Sequence, residues 1–366
     1  MIIRAKTKGL FQGKPLTEKQ QQNSDVNVSE MNDQSTILTS LPRRLVFELT
    51  NNCNLSCRMC GRNYADFKPS SFRMEWFNYF IPFFDIVEEV TLMGWGEPTI
   101  HPNFVEMLSI IDQHSARKYF CTNGMRLAEI TKDLFDYEVD VFGVSIDGAT
   151  AQTNDRIRLG SDFNKIVASL RNIIKIRESR SLKFPHINFV FCAMKSNLHE
   201  LSKLVELAFD IGLDEVKVVY LTAFDNRLSD EVLWDHKGSI QKEFNNATEI
   251  AHKLNVLLKL PHLPGDDPAG NKSHKDCFVA YRDLFVGSDG FIRPCMSTPD
   301  KFFLLDTSKN FFEFWNTLEY QEYRKCTNNE QTMNIACRKC YQSSHCNWNK
   351  KEAFIQSGNT FSPKWE

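Results

Sequence analysis

Residues 44–60 read Arg44-Leu45-Val46-Phe47-Glu48-Leu49-Thr50-Asn51-Asn52-Cys53-Asn54-Leu55-Ser56-Cys57-Arg58-Met59-Cys60. The first six make a mostly apolar run of strand length, and Thr50-Asn51-Asn52 ends it with turn-forming residues. Three cysteines follow at the spacing C-x3-C-x2-C. Three thiolates can hold three irons of a cubane cluster and leave the fourth iron open to a ligand that is not protein. A purely structural site normally supplies every ligand, so the open position points to chemistry. A zinc knuckle is the competing reading. It needs a fourth Cys or His close by, and none follows before His101.

Outward from this stretch, strand and helix patterns alternate. Strand-like runs begin near Arg44, Glu89, Lys118, Val139, His186 and Glu215, with helical periodicity over Asn103–His114, Phe163–Arg180 and Leu198–Ile211. Six such units predict an α/β fold of parallel strands joined by right-handed crossovers. A helical stretch at 229–255 and the short run Val256–Leu260 come next. Pro261, Pro264, Gly265, Asp266, Asp267, Pro268 and Gly270 then break every pattern and mark a linker. The expected divisions are 1–41, 42–262 and 263–366. Residues 1–41 are polar and aperiodic, which predicts a mobile tail. Beyond the linker lie six of the eleven cysteines and few periodic segments. Something other than a large core is expected to hold that part together.

Several strand ends carry chemistry-bearing residues. The run Glu89–Met93 ends in Gly94-Trp95-Gly96-Glu97-Pro98, where two glycines let backbone carbonyls approach an ammonium group. The third run ends in Thr122-Asn123-Gly124. In the fourth, residues two apart share a face, so Gly143, Ser145 and Asp147 point one way and suit a ligand hydroxyl. Arg156 and Arg158 follow, and either guanidinium can pair a carboxylate bidentately. Cys121 is expected to face packing, away from Thr122. Cys192 alternates with Asn188, Val190 and Met194, toward the strand end where a parallel barrel keeps its site.

Taken together, the three-cysteine loop, the Gly94–Pro98 turn and the strand ends resemble the radical S-adenosylmethionine (SAM) superfamily. The resemblance implies a partial (β/α)6 TIM-like barrel over about 42–225. It also implies a [4Fe-4S] cluster on Cys53, Cys57 and Cys60 whose free iron is chelated by SAM. The reduced cluster then cleaves SAM to a 5′-deoxyadenosyl radical. By the same resemblance Gly94, Gly96 and Glu97 belong to the motif that takes SAM's amino group. Thr122, Asn123, Ser145 and Asp147 are assigned to its ribose and methionyl groups, Arg158 to its carboxylate, and Met59 to adenine.

The C-terminal cysteines follow a second pattern. Asp283–Cys295 reads as a hairpin turning at Asp289-Gly290. Cys277-x12-Gly290-x4-Cys295 and Cys337-x2-Cys340-x5-Cys346 resemble the SPASM domain, an extension that binds auxiliary [4Fe-4S] clusters. The next cysteine of that pattern would fall at Lys350, so six cysteines cannot supply two clusters of four thiolates. The shorter, single-cluster Twitch version implies one auxiliary cluster on Cys277, Cys295, Cys337 and Cys340, with Cys326 and Cys346 as spares or substitutes. Structural zinc in that tetrad is the alternative.

The net charge is −2 and 25% of residues are charged, so no basic footprint suggests nucleic acid or an anionic membrane. No segment reaches the ~18 apolar residues of a membrane span, and no secretory signal pattern opens the chain. Free thiols for iron fit a reducing cytoplasm. The 29 Phe are scattered through periodic segments, which predicts packing. What the resemblance implies is a radical SAM oxidoreductase that removes a substrate hydrogen. The auxiliary cluster takes the remaining electron, and a donor such as flavodoxin or ferredoxin reduces the catalytic cluster. The substrate is expected to be a small molecule, since 1–41 is too short and polar for a leader-peptide-binding domain. A ribosomal peptide is the alternative. Redox-neutral epimerisation with Cys192 as catalytic hydrogen donor is a rival chemistry, and a non-catalytic Fe–S or zinc protein is a third reading.

Overall fold

The computed structural model describes residues 14–63, 68–223, 225–264, 277–295, 300–329, 331–333, 337–338 and, as backbone, 354–357. It opens on helix α1 (Glu18–Asn32). Units of strand then helix follow: β1 (Arg44–Phe47) and α2 (Met74–Phe80), β2 (Glu89–Leu92) and α3 (Phe104–Asp112), β3 (Arg117–Thr122) and α4 (Leu127–Asp136). Next are β4 (Val141–Ser145) with α5 (Ala151–Ile157) and α6 (Phe163–Ser179), β5 (His186–Ala193) with α7 (Leu201–Ile211), and β6 (Glu215–Tyr220) with α8 (Lys237–Leu254). The remainder comprises β7 (Leu257–Pro261), α9 (Val279–Arg282), β8 (Asp283–Val286), β9 (Phe291–Arg293), β10 (Phe303–Leu304), α10 (Phe311–Trp315), α11 (Leu318–Cys326) and β11 (Phe354–Ser357).

The sheet order is β10-β9-β8-β1-β2-β3-β4-β5-β6-β7-β11. The six expected strands are present, parallel and in sequence order. Two more parallel strands extend them: β7 beside β6, and β8 beside β1. Alternation divides each strand between two environments. Leu45, Phe47, Val90, Leu92, Phe120, Phe142, Val144, Phe189, Phe191, Val216 and Val218 join the large apolar core under the helices. Their neighbours in sequence turn into the barrel lumen, which is polar. Arg44, Glu48, Glu89, Asp147, Asn188, Glu215 and Lys217 are all buried there.

Two sequence expectations are corrected here. Residues 14–41 are not a mobile tail. Thr17 and Gln20 form a reciprocal capping box, and α1 lies across the N-terminal ends of the strands. Its buried residues are the polar Gln20, Ser24 and Asn27. Gln20 donates to the Val87 carbonyl (2.8 Å), Ser24 to Glu88 (2.6 Å), and Asn27 to the Tyr281 carbonyl (2.9 Å). An apolar-surface criterion misses a helix docked by hydrogen bonds to backbone groups that would otherwise be orphaned.

The segment after the linker is also not short of a core. Phe311, Phe314, Trp315, Tyr320 and Tyr323 are buried and pack on the α2 side of the barrel, with Phe83–Phe311 centroids 4.8 Å apart. Arg324 lies 4.5 Å over the Trp315 ring and donates to its carbonyl at 2.7 Å. Beyond the boundary near 262, β8 is nevertheless a strand of the barrel sheet itself. The linker motif from Gly265 to Gly270 lies outside the described residues. Among the described residues many phenylalanines serve packing: Phe47, Phe72, Phe77 and Phe80 form one buried aromatic group.

Candidate active site

The cysteine loop leaves β1 and folds along the segment after α5. Ser56 N–H donates to the Leu159 carbonyl and Arg58 N–H to that of Ile157, both at 2.9 Å. This places Cys53, Cys57 and Cys60 at the C-terminal ends of the strands. Donors already face the sulfurs. Leu55 N–H lies 3.4 Å from Cys53 Sγ, Asn123 Nδ2 3.7 Å from the same sulfur, and Arg158 Nη1 3.9 Å from Cys57 Sγ. Burial pushes the Cys57 thiol up to about 11, with Arg158 opposing and Asp147, Cys60 and Cys53 adding to the rise. Burial likewise raises Cys53. A metal must displace those protons, and hydrogen-bond donors aimed at the sulfurs fit a bound cluster. Among the described residues no three Cys, His, Asp or Glu side chains converge as a single ion requires. A cluster spreads its ligands over several irons, so its sulfurs need not meet at one point. Three thiols on one loop with hydrogen-bond donors aimed at two of them fit an Fe–S cluster that leaves one iron open.

The Gly94–Pro98 turn lies against this loop. A Cβ on Gly96 would sit 2.2 Å from the Thr50 carbonyl oxygen and 2.3 Å from that of Asn52, and one on Gly94 would sit 2.2 Å from Glu48 Cγ. The glycines are therefore required by close packing on β1 and its loop. Glu97 is buried and accepts from Thr99 N–H (3.1 Å), Thr99 Oγ1 (2.6 Å), Thr122 Oγ1 (2.7 Å) and Asn123 N–H (2.7 Å). Glu97 and Thr122 turn to each other, so this corner offers backbone rather than those two side chains. Asn123 instead reaches the cluster loop, donating to Asn54 Oδ1 at 2.8 Å.

Ser145 and Asp147 share the lumen face, as alternation predicts. Asp147 is fully buried and pairs with Arg158 Nε at 2.7 Å. Burial works against the Arg158 charge, but Asp147 first and then Cys57 more than offset it and hold the guanidinium ionised. Arg156 is exposed, so of the two arginines it is Arg158 that the fold brings to the site. Asp147 Oδ1 also accepts from Cys192 N–H at 2.8 Å. Asn197, which no sequence signal marked, donates to the Asp147 and Cys192 carbonyls at 3.0 Å each and ties β4 to β5. Met59 and Cys192 pack on an apolar shelf of Ile157, Met194, Leu221 and Leu228. Burial, then Asp147, pushes the Cys192 thiol far up, so it stays protonated.

Cys121 faces away from Thr122 and packs, as expected: it lies with Met93, Tyr119 and Val141 in the lumen, 3.5 Å from Ser145 Oγ. On β3 it is Phe120 and Thr122 that point outward, so Cys121 takes the opposite face. The lumen also buries Lys217, whose ammonium is lowered to about 7 by burial and then by Lys259. Its ordinary value is 10.5, so between pH 7 and 10.5 the unfolded chain binds a proton that the folded chain does not. Stability then rises with pH across that window. Replacing Lys217 with Met is expected to stabilise the protein at pH 7 by a few kcal/mol, since each tenfold loss of proton affinity on folding costs about 1.4 kcal/mol. The gain should fade as pH approaches 10.5, and denaturant unfolding at several pH values measures it.

In the C-terminal segment, the hydroxyl of buried Tyr323 is raised by burial first and then by the thiols of Cys295, Cys277 and Cys337, which lie within electrostatic range of it. The Cys326 thiol donates to Glu322 Oε1 at 3.2 Å. Cys340 and Cys346 lie outside the described residues. Among the described residues Cys53, Cys57, Cys60, Cys121, Cys192 and Cys326 are free thiols. Among the described residues no helix is long and apolar enough to cross a membrane.

Comparison with known proteins agrees with this geometry. The chain is 27% identical to the AdoMet-dependent heme synthase of Methanosarcina barkeri over 88% of this chain and 95% of that one. It is 24% identical to the tungsten-containing aldehyde ferredoxin oxidoreductase cofactor-modifying protein of Pyrococcus furiosus over 69% of this chain and 70% of that one. It is 31% identical to the mycofactocin maturase MftC of Mycobacterium tuberculosis over 47% and 43%. Its fold is similar to that of Streptococcus suis SuiB bound to S-adenosylmethionine, with a TM-score of 0.64 at 16% identity over 82% of this chain and 71% of that one. Residues 47–208 match the radical SAM superfamily, and 277–341 match SPASM, an iron–sulfur cluster-binding domain. With its three-cysteine loop, the strand ends beside it and a second cysteine group, the chain carries a radical SAM superfamily domain over 47–208 followed by a SPASM-type domain over 277–341.

Proposed function

We propose that this enzyme is an oxidoreductase acting on a small molecule, which loses one hydrogen atom, then a proton to a base or solvent, while the electron left behind passes to an auxiliary cluster. The observation that carries this reading is the joining of the two cysteine groups. Strand β8, which leads through its hairpin to Cys295, pairs directly with β1, which leads to Cys53. An electron acceptor on that hairpin is fixed relative to the place where a substrate radical would form. When bound, the catalytic cluster and SAM supply the hydrogen-abstracting adenosyl radical. The chain's own residues bind and orient. Cys53, Cys57 and Cys60 hold the cluster, the Gly94–Gly96 backbone faces SAM's amino group, and Asn123, Ser145, Asp147 and Arg158 line its other side. The apolar shelf beside Met59 suits adenine. Cys277, Cys295, Cys337 and Cys340 complete the auxiliary site. Of the three sequence relatives named above, the heme synthase is matched over the largest share of both chains, which supports a small molecule over a peptide.

A second reading has one observation in its favour: two thiols that the cluster does not use, Cys192 and Cys121, lie in the barrel interior. Either thiol could return a hydrogen atom and make the reaction redox-neutral. The test uses the compound whose addition stimulates 5′-deoxyadenosine release, with turnover run in deuterated water. Oxidation predicts no solvent deuterium on product carbon, retained turnover in Cys192→Ala, and lost turnover in Cys337→Ala with SAM still cleaved. Solvent deuterium in the wild-type product would reverse the assignment.

A further inference from the structure

Glu48 is the last lumen-facing residue before the cluster loop, and only 3% of it is exposed. Its two carboxylate oxygens serve two different segments. Oε1 accepts from Trp95 N–H at 2.8 Å, in the middle of the Gly94–Gly96 turn. Oε2 accepts from Ser288 N–H at 3.1 Å and Ser288 Oγ at 2.8 Å, in the turn between β8 and β9. The side chain is wedged against Gly94, where any Cβ would collide with Glu48 Cγ and Cβ. Ser288 Oγ also meets Ser70 Oγ at 2.7 Å, and Ser70 N–H is bonded to Asn51 Oδ1 at 2.8 Å, next to the cluster loop. One buried carboxylate therefore ties together the turn that faces SAM, the start of the cluster loop and the hairpin that ends at Cys295.

From this geometry we propose that Glu48 is a positioning residue that sets the SAM-facing turn and couples it to the C-terminal cluster site. The inference rests on the reading of Gly94–Gly96 as the turn that takes SAM's amino group. The physical reason is that hydrogen bonds to a charged acceptor are short and strong, and a buried one with no water to replace it fixes the angle of the peptide that donates. The Trp95 amide is fixed from behind, so the carbonyls of the same turn are aimed forward. Because Ser288 holds the other oxygen, ordering of the hairpin by a bound cluster steadies Glu48, and disorder there loosens it. Two sites that bias one shared element are thermodynamically coupled.

Equilibrium dialysis of labelled SAM on anaerobically reconstituted protein, with the reduced cluster's electron paramagnetic resonance recorded with and without SAM, tests this. Glu48→Gln keeps the shape but must present an amide N–H to one of its donors. It is expected to weaken SAM binding by roughly 10- to 100-fold, at full iron content and with a blunted SAM-induced change in the resonance. Ser288→Ala, a milder variant should Glu48→Gln fold poorly, is expected to weaken it several-fold. Removing the C-terminal cluster by Cys295→Ala with Cys337→Ala should weaken SAM binding in the wild-type background and add nothing in the Glu48→Gln background. Wild-type affinity in Glu48→Gln overturns the inference, as do fully additive effects of the two changes. A wild-type protein that binds no SAM at all would instead defeat the reading of the turn, and the two failures are thus distinct.

Discussion

A variant with Cys53, Cys57 and Cys60 all replaced by alanine is expected to release no 5′-deoxyadenosine under dithionite while keeping its C-terminal iron. The three sulfurs are the protein's whole contribution to the catalytic cluster, so the loss should be complete rather than graded. A loaded wild-type chain with one catalytic and one auxiliary [4Fe-4S] cluster carries about eight irons, and the variant about four. The structure gives the comparison its meaning. Cys277, Cys295 and Cys337, which act on Tyr323 of α11, lie on segments far in sequence from the cluster loop, so their thiols remain when the loop's are removed. Iron and zinc analysis with product detection by mass spectrometry reads both outcomes. Continued 5′-deoxyadenosine release would remove the catalytic assignment. One zinc per chain beside only about four irons in the wild type would replace the auxiliary cluster with a structural zinc.

The second large effect is expected at Asp147. Asp147→Ala leaves the Arg158 guanidinium buried beside Cys57 without its carboxylate, and removing one partner of a buried pair typically costs about 3–5 kcal/mol. It also deletes the acceptor for Cys192 N–H that ties β5 to β4. Denaturant unfolding should show the loss, and SAM binding should fall with it. Removing both charges, in Asp147→Ala with Arg158→Met, should recover part of the stability but none of the affinity. If the single variant unfolds like wild type, the pair is not the buried anchor that its 2.7 Å separation and complete burial imply.

The two expectations differ in how far the sequence alone could carry them. The cysteine spacing needs no tertiary information, because a C-x3-C-x2-C loop after a strand already states its ligand count. Asp147 was legible through strand alternation, but its partner was not. Arg156 and Arg158 are equivalent in sequence, and only the path of the chain after α5 buries one and exposes the other. Glu48 had a faint signal, a charge within an apolar strand run just before the loop. Nothing in the sequence joins it to Trp95 or to Ser288, 240 positions away.

By itself, then, the sequence determined the alternating parallel architecture, the cluster loop, the lumen-facing Ser145–Asp147 pair and the hairpin at Asp289-Gly290. Each of these is written in local spacing or period-two alternation, which short-range sterics enforce. Three things were decided only by tertiary structure. Helix α1 is ordered because Gln20 and Asn27 find backbone partners and Ser24 the Glu88 carboxylate at the foot of the barrel, and polar docking leaves no apolar period to read. The C-terminal segment is welded to the barrel by β8 pairing with β1 and by aromatic rings from distant segments, contacts whose partners no local window contains. Cys121 faces the lumen because the flanking Phe120 and Thr122 claim the outer face, where the apolar core and Glu97 wait for them. Which face of a strand is inside depends on what packs against it, and that is a property of the assembled chain.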